Sequence, residues 1–518
     1  MPHSCKYIRF THGYLVITAA LFYLFLPCVL FSWEILTLPF ACLTISGLSA
    51  GLVFCLYTLR KTLHQVYFFS YRDIFYLLLT LLLALGVIEC LGVNLHVLQS
   101  YDFVVRNPIY DMLRHHELPL YSQRGEYFVY YHAFWLPPAY ICRTCPNLNP
   151  DVLLYIWTYL GIFISICMLF LRFKRHILTL CFILIILGMP FYLFTSYIRE
   201  CTNLLTSTGL FKEAIIFLLG GFIHKNAFYT SLWAQIISTF NHAIPIFIVL
   251  SALIFKKLPF HITAFLASLV VPFSPLGALL ITGILISLFI HRLKKKEQKI
   301  ITKSIIISIS ASPLLIFSAV YFSLSGGAGA STFFSVLPRQ GNGILNSLSF
   351  LSSLSIQWIL IWATYIAFKR HDSVFHKRLT GQLVCITAIS SFIWIGRSDT
   401  NELMYKAGAI LFPLLALYIF TNRSSHNLKP LHKILRVSLA LISMVWIVYD
   451  FCHRIIPSYT WDKNKMTVNK RTEWGDTLDH PEHIWYGSFW AGKVPNPHIF
   501  KVREGTKVYI PNDGGERQ

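Results

Sequence analysis

Long apolar stretches alternate with short polar ones along most of the chain. Many of the apolar stretches approach 20 residues, the length that an α-helix needs to cross a bilayer. A shorter pair of stretches flanks the segment from Pro272 to Pro275 and predicts two half-length spans. The predicted spans are 14–33, 37–57, 74–93, 152–171, 177–196, 234–255, 261–272, 277–290, 304–323, 347–368, 379–396, 407–420 and 434–450. The pattern therefore predicts an all-α fold, a polytopic transmembrane helical bundle of about 11–13 spans.

The composition is that of a membrane protein, because 55% of the 518 residues are hydrophobic and only 13% are charged. A soluble chain carries about 25% charged residues, so the soluble globular and disordered classes are both excluded. The first apolar run, 14–33, is long, and no small-residue cleavage site follows it. We interpret it as a retained anchor rather than a removed signal.

The net charge of +21 decides the predicted orientation. With the N-terminus in the cytoplasm, the inside segments carry the whole excess of Lys and Arg, and charges balance in the outside segments. This distribution follows the positive-inside rule, and it places the C-terminus outside. The basic charge is thereby assigned to the membrane, with membrane lipids as partners, and nucleic acid is excluded as a partner.

Three long outside segments divide the chain. They are 94–151 and 197–233, both between predicted spans, and the polar tail 451–518. We predict an N-terminal two-span extension over 1–73, a transmembrane domain over 74–450 and a small extracytoplasmic tail. Long loops on one face of a membrane protein are where function concentrates. The tail contains four tryptophans, which either stack on sugars or pack as a cap: Trp461, Trp474, Trp485 and Trp490.

The first outside loop has two regions of distinct pattern. Residues 103–114 place apolar side chains on one helical face, which predicts a helix lying on the membrane surface. The aromatic run 127–140 is typical of an interfacial segment. Cys142 and Cys145 follow, and their spacing leaves a strained disulfide and two free thiols as alternatives.

This loop resembles the first outer loop of the GT-C superfamily of integral-membrane glycosyltransferases. Asp102 matches the acidic residue that follows a membrane span in that family, and Pro119 to Tyr121 match its Pro-x-Tyr motif. The segment from Tyr130 and Tyr131 to Pro137 matches the motif that comes next.

Two further motifs agree with this resemblance. The segment Pro272–Gly277 is similar to a helical hairpin of related bacterial membrane proteins, and 397–406 is similar to a polar outside motif. The resemblance covers about residues 74–420. The sequence departs from the family pattern in its two extra N-terminal spans, in Lys406 where Arg is usual, and in its short C-terminal domain.

The resemblance implies a GT-C-like fold and a mannosyltransferase-like hexosyltransferase of the bacterial inner membrane. The donor would be a sugar on a polyprenyl phosphate, and the acceptor a glycan, lipid or protein on the outer face. Such a donor has its phosphate at the interface and is already activated, so no ATP or nicotinamide is needed. Asp102 would be the catalytic base that takes the proton of the acceptor hydroxyl.

Other outside residues complete the expected site. The leaving phosphate needs cationic side chains or a metal, so a divalent cation stays an alternative, although no metal ligands are predicted. Candidates for a second acidic group are Asp111 and Glu200. Candidates for binding the donor phosphate and substrate are Arg106, Tyr121, Tyr131, Arg199, Lys225, His242, Arg397 and Lys406.

Structural roles compete with these assignments. Asp102 also suits the N-cap of a helix, Asp111 also suits an exposed pair with Arg114 or His115, and His242 also suits an interhelical hydrogen bond. Two other functions remain as alternatives: a transporter or flippase of lipid-linked glycans, and an O-antigen polymerase or ligase. The scarcity of acidic residues at the centres of the predicted spans counts against proton-coupled transport.

Overall fold

The structure is a computed structural model, and it describes part of the chain. Most of the spans predicted at 177–196 and 347–368 lie outside the described residues, as do 94–98 and 197–231. The described residues are 12–62, 71–93, 99–100, 103–122, 127–172, 183, 232–255, 258–294, 298–324, 358–359, 361–362, 374–392, 402–421, 434, 437–445, 467–468, 490–491, 496–502 and 507–508.

The described part of the chain is mostly helical. Its α-helices are α1 (His12–Ile35), α2 (Leu38–Thr62), α3 (Tyr71–Leu91), α4 (Phe103–His115), α5 (Leu136–Thr144), α6 (Pro150–Arg172), α7 (Leu232–Ile254), α8 (Phe260–Ser268), α9 (Pro275–Lys294), α10 (Gln298–Ser323), α11 (Val374–Phe392) and α12 (Glu402–Thr421). Among them, α1, α2, α6, α7 and α10 are long and apolar enough to cross a membrane. The expectation of a helical membrane protein is confirmed, while the number of spans and the GT-C-like arrangement stay predictions.

Local sequence signals explain where α6 begins. The side-chain Oδ1 of Asn149 accepts hydrogen bonds from the backbone N–H groups of Asp151, at 2.8 Å, and Val152, at 3.4 Å. Pro150 occupies the first helical position, where its missing N–H costs nothing. The helix therefore begins where the polar loop gives way to the predicted span 152–171.

The first two helices pack against the rest of the bundle. Tyr23 of α1 stacks on Trp157 of α6 with ring centroids 4.2 Å apart, and its hydroxyl donates to the Trp157 carbonyl at 3.1 Å. Gly161 makes this contact with α6 possible, because a Cβ there would lie 2.5 Å from Ile244 Cγ2 and 2.6 Å from the Tyr23 hydroxyl. The helices α1, α6 and α7 thus meet at a position that accepts no side chain.

Helix α7 lies at the centre of the bundle, with almost all of its side chains buried. Its backbone departs from helical geometry at Thr239, where φ is −133° and ψ is 47°, and it contains Pro245 one turn and a half later. A kink of this kind interrupts the regular hydrogen bonds between successive turns. Polar groups of the backbone at residues 238–242 are therefore available to side chains from other helices.

A short helix and a turn follow α7 in the sequence, and the turn contacts the kink through His242. Helix α8 has nine residues, and the turn from Leu269 to Ser274 leads into α9, which has 20 residues. The turn is closed by the N–H groups of Phe273 and Ser274, which both donate to the Val270 carbonyl, at 3.0 and 2.9 Å. Two half-length spans are predicted here. Helix α8 is shorter than the predicted span 261–272, and α9 is longer than the predicted span 277–290.

One end of the bundle, called the loop end below, contains the described residues of the first outside loop, the connection between α1 and α2, and the described pieces of the tail. Short strands form there: β1 (Gln99–Ser100), β2 (Tyr121–Ser122), β3 (Tyr127–Phe128), β4 (Thr467–Val468), β5 (Trp490–Ala491) and β6 (Lys507–Val508). In the larger sheet the order is β5-β3-β2-β6, with β2 and β6 parallel and the other pairs antiparallel. Strand β1 pairs with β4.

The tail also contacts the connection between α1 and α2. The N–H of Thr37 donates to the Ile499 carbonyl at 2.9 Å, and the N–H of Lys501 donates to the Ile35 carbonyl at 2.9 Å. Phe500 is completely buried against Tyr321 of α10. The described tail residues therefore pack as a cap on the loop end.

Candidate functional site

Helix α4 carries Arg106 to the kink of α7. The guanidinium Nε donates to Oδ1 of Asn241 at 3.1 Å, and Nη1 donates to the carbonyl of Ser238. Arg106 is only 7% exposed and Asn241 is fully buried. The planar fork of an arginine suits two acceptors on one segment, so α4 is held to α7 by a polar contact within an apolar surround.

Lys406 reaches the same kink from the other side. It lies in the second turn of α12, is 5% exposed, and donates through Nζ to the hydroxyl of Thr239 at 3.1 Å. That hydroxyl in turn donates to the Gln235 carbonyl at 3.0 Å. Two cationic side chains from helices about 300 positions apart in sequence thus contact residues 238–241 of one helix.

His242 is the next residue along α7. Its Nδ1 lies 2.5 Å from the carbonyl oxygen of Phe273, in the turn between α8 and α9. The ring of Tyr131 meets it edge to face, with centroids 4.9 Å apart. Arg106 and Lys406 are both close enough to act on this ring electrostatically. We call this group of residues the kink site: Arg106, Tyr131, Thr239, Asn241, His242 and Lys406.

Aromatic residues pack around Phe240, which lies between Thr239 and Asn241 of the kink site. Phe240 stacks on Phe103, the first residue of α4, at 5.3 Å between centroids. It also meets Phe134 and Trp135 edge to face, at 5.2 and 6.3 Å. These rings fix the first turn of α4 against α7. Since low polarity strengthens electrostatic interactions, the two cations act in a medium that favours anion recognition.

Helix α4 covers the residues expected, but it is not a helix with one polar face in water. Ile109 and Leu113 are buried, as the pattern predicts, and Arg106 and Asp111 on other faces are buried as well. The reason is that α5 packs on α4 while Phe103 and Arg106 hold it to α7.

The structure brings four of the predicted site residues together: Arg106, Tyr131, His242 and Lys406. It places Asp111 elsewhere on α4, where Oδ1 accepts from Arg114 Nε at 2.6 Å and Nη2 at 2.5 Å, with His115 Nδ1 at 3.9 Å. Tyr121 lies in β2, where it is paired with Tyr127 and Lys507. The candidates that lie outside the described residues are Asp102, Arg199, Glu200, Lys225 and Arg397.

Sequence reasoning did not assign Thr239 and Asn241 to the site. The signal for Asn241 was its position beside His242 within a strongly apolar run, where a polar side chain is costly unless it has a partner. Thr239 gives no such signal, because a threonine in a helix satisfies itself by bonding a carbonyl one turn earlier.

A second polar contact lies at the loop end, and the sequence analysis missed it. Glu34 at the end of α1 pairs with Arg143 of α5, and its Oε2 accepts the backbone N–H of Leu118 at 3.1 Å. Arg143 also donates to the carbonyl of His116 at 3.1 Å. The pKa of His116 is lowered by burial first and by the neighbouring His115 second, with Asp111 acting in the opposite direction.

The described residues contain no group of three His, Cys, Asp or Glu side chains that is suited to a metal ion. Cys142 and Cys145 are free thiols, so the disulfide alternative is not the one observed. Cys142 is buried beside the hydroxyl of Tyr110 at 3.6 Å, whereas Cys145 is exposed. The chemistry that the described residues offer is thus that of cations, an imidazole and hydroxyls.

The kink site thus joins two cationic side chains, an imidazole and two hydroxyls around the kink of a helix long enough to span a membrane. In comparisons with known proteins, no family model, no curated protein and no solved structure matches this chain.

Proposed function

We propose that this protein is a membrane glycosyltransferase of the GT-C type. It moves a sugar from a polyprenyl-phosphate donor to a glycan, lipid or protein acceptor on the outer face of a bacterial inner membrane. The observation that carries the proposal is the convergence of Arg106, from the first outside loop, and Lys406, from α12, on the kink of α7.

The chemistry of the donor explains why this convergence matters. When the bond between the anomeric carbon and the phosphate oxygen breaks, the electron pair stays on the phosphate, which leaves as polyprenyl phosphate. Two fixed positive charges beside that oxygen stabilise the developing charge without needing to reorganise. Arginine and lysine are the side chains that supply such charges to phosphates.

The position of the kink site also suits a lipid-linked donor. Arg106 comes from a loop helix and Lys406 from the second turn of α12, while His242 belongs to a membrane-spanning helix. A polyprenyl tail needs the hydrocarbon region and its phosphate needs the interface, so a site between a loop helix and a spanning helix accepts both. Aromatic residues such as Tyr131 supply faces on which a sugar ring packs.

The test is transfer from a panel of radiolabelled polyprenyl-phosphate sugars by the purified protein, with acceptor-bearing membranes added. Release of free sugar to water is followed in parallel, because it does not depend on knowing the acceptor. We expect Lys406→Met to lower the rate by about 100-fold, the usual effect of removing one group that stabilises developing charge. Asp102→Asn is measured alongside, because the family resemblance gives Asp102 a place at the reaction centre.

The matched control is Lys299→Met. Lys299 is exposed in the first turn of α10, far along that helix from the loop end. Its removal is expected to leave the rate unchanged. The absence of both sugar transfer and sugar release with every donor tested would overturn the proposal. Tight donor binding without turnover would favour the flippase alternative. Equal rates in Lys406→Met and in the wild type would remove the kink site from the reaction.

A further inference from the structure

The ring of His242 is held in one orientation by the turn between α8 and α9. A carbonyl oxygen accepts a hydrogen bond and has no hydrogen to give, so Nδ1 must carry the hydrogen in its contact with Phe273. The turn itself is braced by the bonds of Phe273 and Ser274 to Val270, and the Ser274 carbonyl accepts the N–H of Ala278 at 2.8 Å. The hydrogen on Nδ1 is thus assigned by a rigid backbone acceptor.

The other ring nitrogen is in a different situation. Nε2 makes no hydrogen bond to any residue that the structure describes, and His242 keeps 6% of its surface accessible. A proton on Nε2 would bring a third positive charge beside those of Arg106 and Lys406. Without a bound donor the neutral ring is therefore favoured, and in that form Nε2 holds a lone pair. The negative charge of a bound donor phosphate would offset the two cations when Nε2 takes a proton.

A histidine with its Nδ1–H fixed on an acceptor and its Nε2 available has the geometry of a general base. Such a group must touch the proton that it takes, and the imidazole of His242 lies within electrostatic reach of Arg106 and Lys406, the two cations that suit a leaving phosphate. The ring of Tyr131 packs against the imidazole in an edge-to-face contact, which further restricts the rotation of the imidazole.

We propose that Nε2 of His242 is the base that takes the proton from the acceptor hydroxyl. The inference rests on the proposed function and deepens it. The acceptor oxygen forms its bond to the anomeric carbon as its proton moves to Nε2, and the bond from that carbon to the phosphate oxygen breaks with its electron pair on the phosphate. The proton then leaves His242 for water. In this scheme Asp102 is not the base.

Two amide variants separate this role from a structural one. In His242→Asn the side-chain amide is able to donate to the Phe273 carbonyl in place of Nδ1, but nothing replaces Nε2. In His242→Gln the amide reaches the region of Nε2 without the basicity of an imidazole. A base role predicts that both variants bind polyprenyl phosphate as the wild type does and transfer sugar about 100-fold to 10,000-fold more slowly.

The control is His115→Asn, which removes an exposed imidazole at the end of α4, outside the kink site. Added imidazole is expected to restore part of the transfer by His242→Ala and none of that lost by Lys406→Met. A measurement without substitution completes the design: acylation of wild-type His242 by diethyl pyrocarbonate, followed by peptide mapping, is expected to proceed in parallel with the loss of transfer.

The outcomes distinguish this inference from the proposed function. Transfer by the wild type, together with transfer by His242→Asn within about threefold of it, overturns the base and leaves the glycosyltransferase standing. Equal losses of donor binding and transfer in His242→Asn would make His242 a phosphate-binding residue instead. If the wild type shows neither sugar transfer nor sugar release with any donor, both proposals are overturned together.

Discussion

The buried carboxylate of Glu34 and the partly buried guanidinium of Arg143 form an ion pair that joins the end of α1 to α5. The same carboxylate accepts the backbone N–H of Leu118, and the same guanidinium donates to the carbonyl of His116. One charged pair thus also satisfies two backbone groups of the first outside loop. Since that loop carries Arg106 and Tyr131, the pair helps to hold the kink site together at a distance.

We expect Glu34→Gln to destabilise the protein by about 3 kcal/mol. The reason is that Glu34 is buried and Arg143 is only 13% exposed, so removing one charge leaves the other largely withdrawn from water without its partner. The measurement is the free energy of unfolding of the purified protein in detergent.

The matched control is the double variant Glu34→Gln with Arg143→Met, which removes both charges. It is expected to lose less stability than the sum of the two single variants, because neither charge is left behind. Strict additivity of the two single losses would show that the pair contributes no coupling energy.

Gly161 and Gly86 give a second prediction, in which alanine has opposite effects on stability at the two positions. A Cβ at Gly161 would lie 2.5 Å from Ile244 and 2.6 Å from Tyr23, while a Cβ at Gly86 has no atom within 4 Å. Gly161→Ala is therefore expected to cost about 1–3 kcal/mol through overpacking. Gly86→Ala is expected to be neutral or stabilising by up to about 1 kcal/mol, since alanine favours the helix. Thermal unfolding of both variants checks this, and equal shifts would show that α1, α6 and α7 do not pack as described.

The sequence predicts the helices well because a span needs a long apolar run, and such runs are visible in α1, α2, α6, α7 and α10. It also predicts Arg106 and Lys406 as candidates, because charges beside a span are costly and conspicuous. It does not predict the kink at Thr239, because Pro245 indicates a bend in this helix but not the residue at which the backbone departs from helical geometry. The two-residue strands are equally invisible, because they are too short for an alternating pattern.

The fork of Arg106 yields a third prediction. Its Nε and Nη1 reach two different acceptors, Asn241 and Ser238, and the single ammonium of a lysine cannot reproduce that geometry. Arg106→Lys is expected to lower the rate of sugar transfer by about 10-fold to 100-fold although the charge is kept. The matched control is Arg114→Lys, which alters the local pair with Asp111 on the same helix. Equal rates in the two variants would show that the charge of residue 106 suffices without its fork.

Asp111 gives a fourth prediction, in which little change in the transfer rate is expected. Its carboxylate is paired with Arg114 three residues further along α4 rather than placed in the kink site. Asp111→Asn is therefore expected to change the transfer rate by no more than about threefold, the effect of a lost local pair on a helix rather than of a lost catalytic group. A loss of about 100-fold would return Asp111 to the reaction centre as a second acidic group.

His132 in the first outside loop makes the stability of the protein depend on pH. Burial lowers the pKa of its ring from 6.5 to about 3, with the backbone carbonyl of Phe128 acting in the opposite direction. Between these two values the unfolded chain binds a proton on His132 that the folded protein does not, so the free energy of unfolding falls as the pH is lowered. From pH 7 to pH 5 this contribution amounts to about 2 kcal/mol.

His132→Phe tests this dependence, because a phenyl ring fits among the same aromatic neighbours, Phe128 and Tyr130. Other titrating groups contribute equally to the variant and to the wild type, so they cancel in the comparison. The wild type is expected to lose about 2 kcal/mol more than His132→Phe between pH 7 and pH 5, measured as the free energy of unfolding at each pH. If both proteins lost the same amount, the ring of His132 would have to be accessible to protons in the folded state, and the packing of the first outside loop against the bundle would be looser than described.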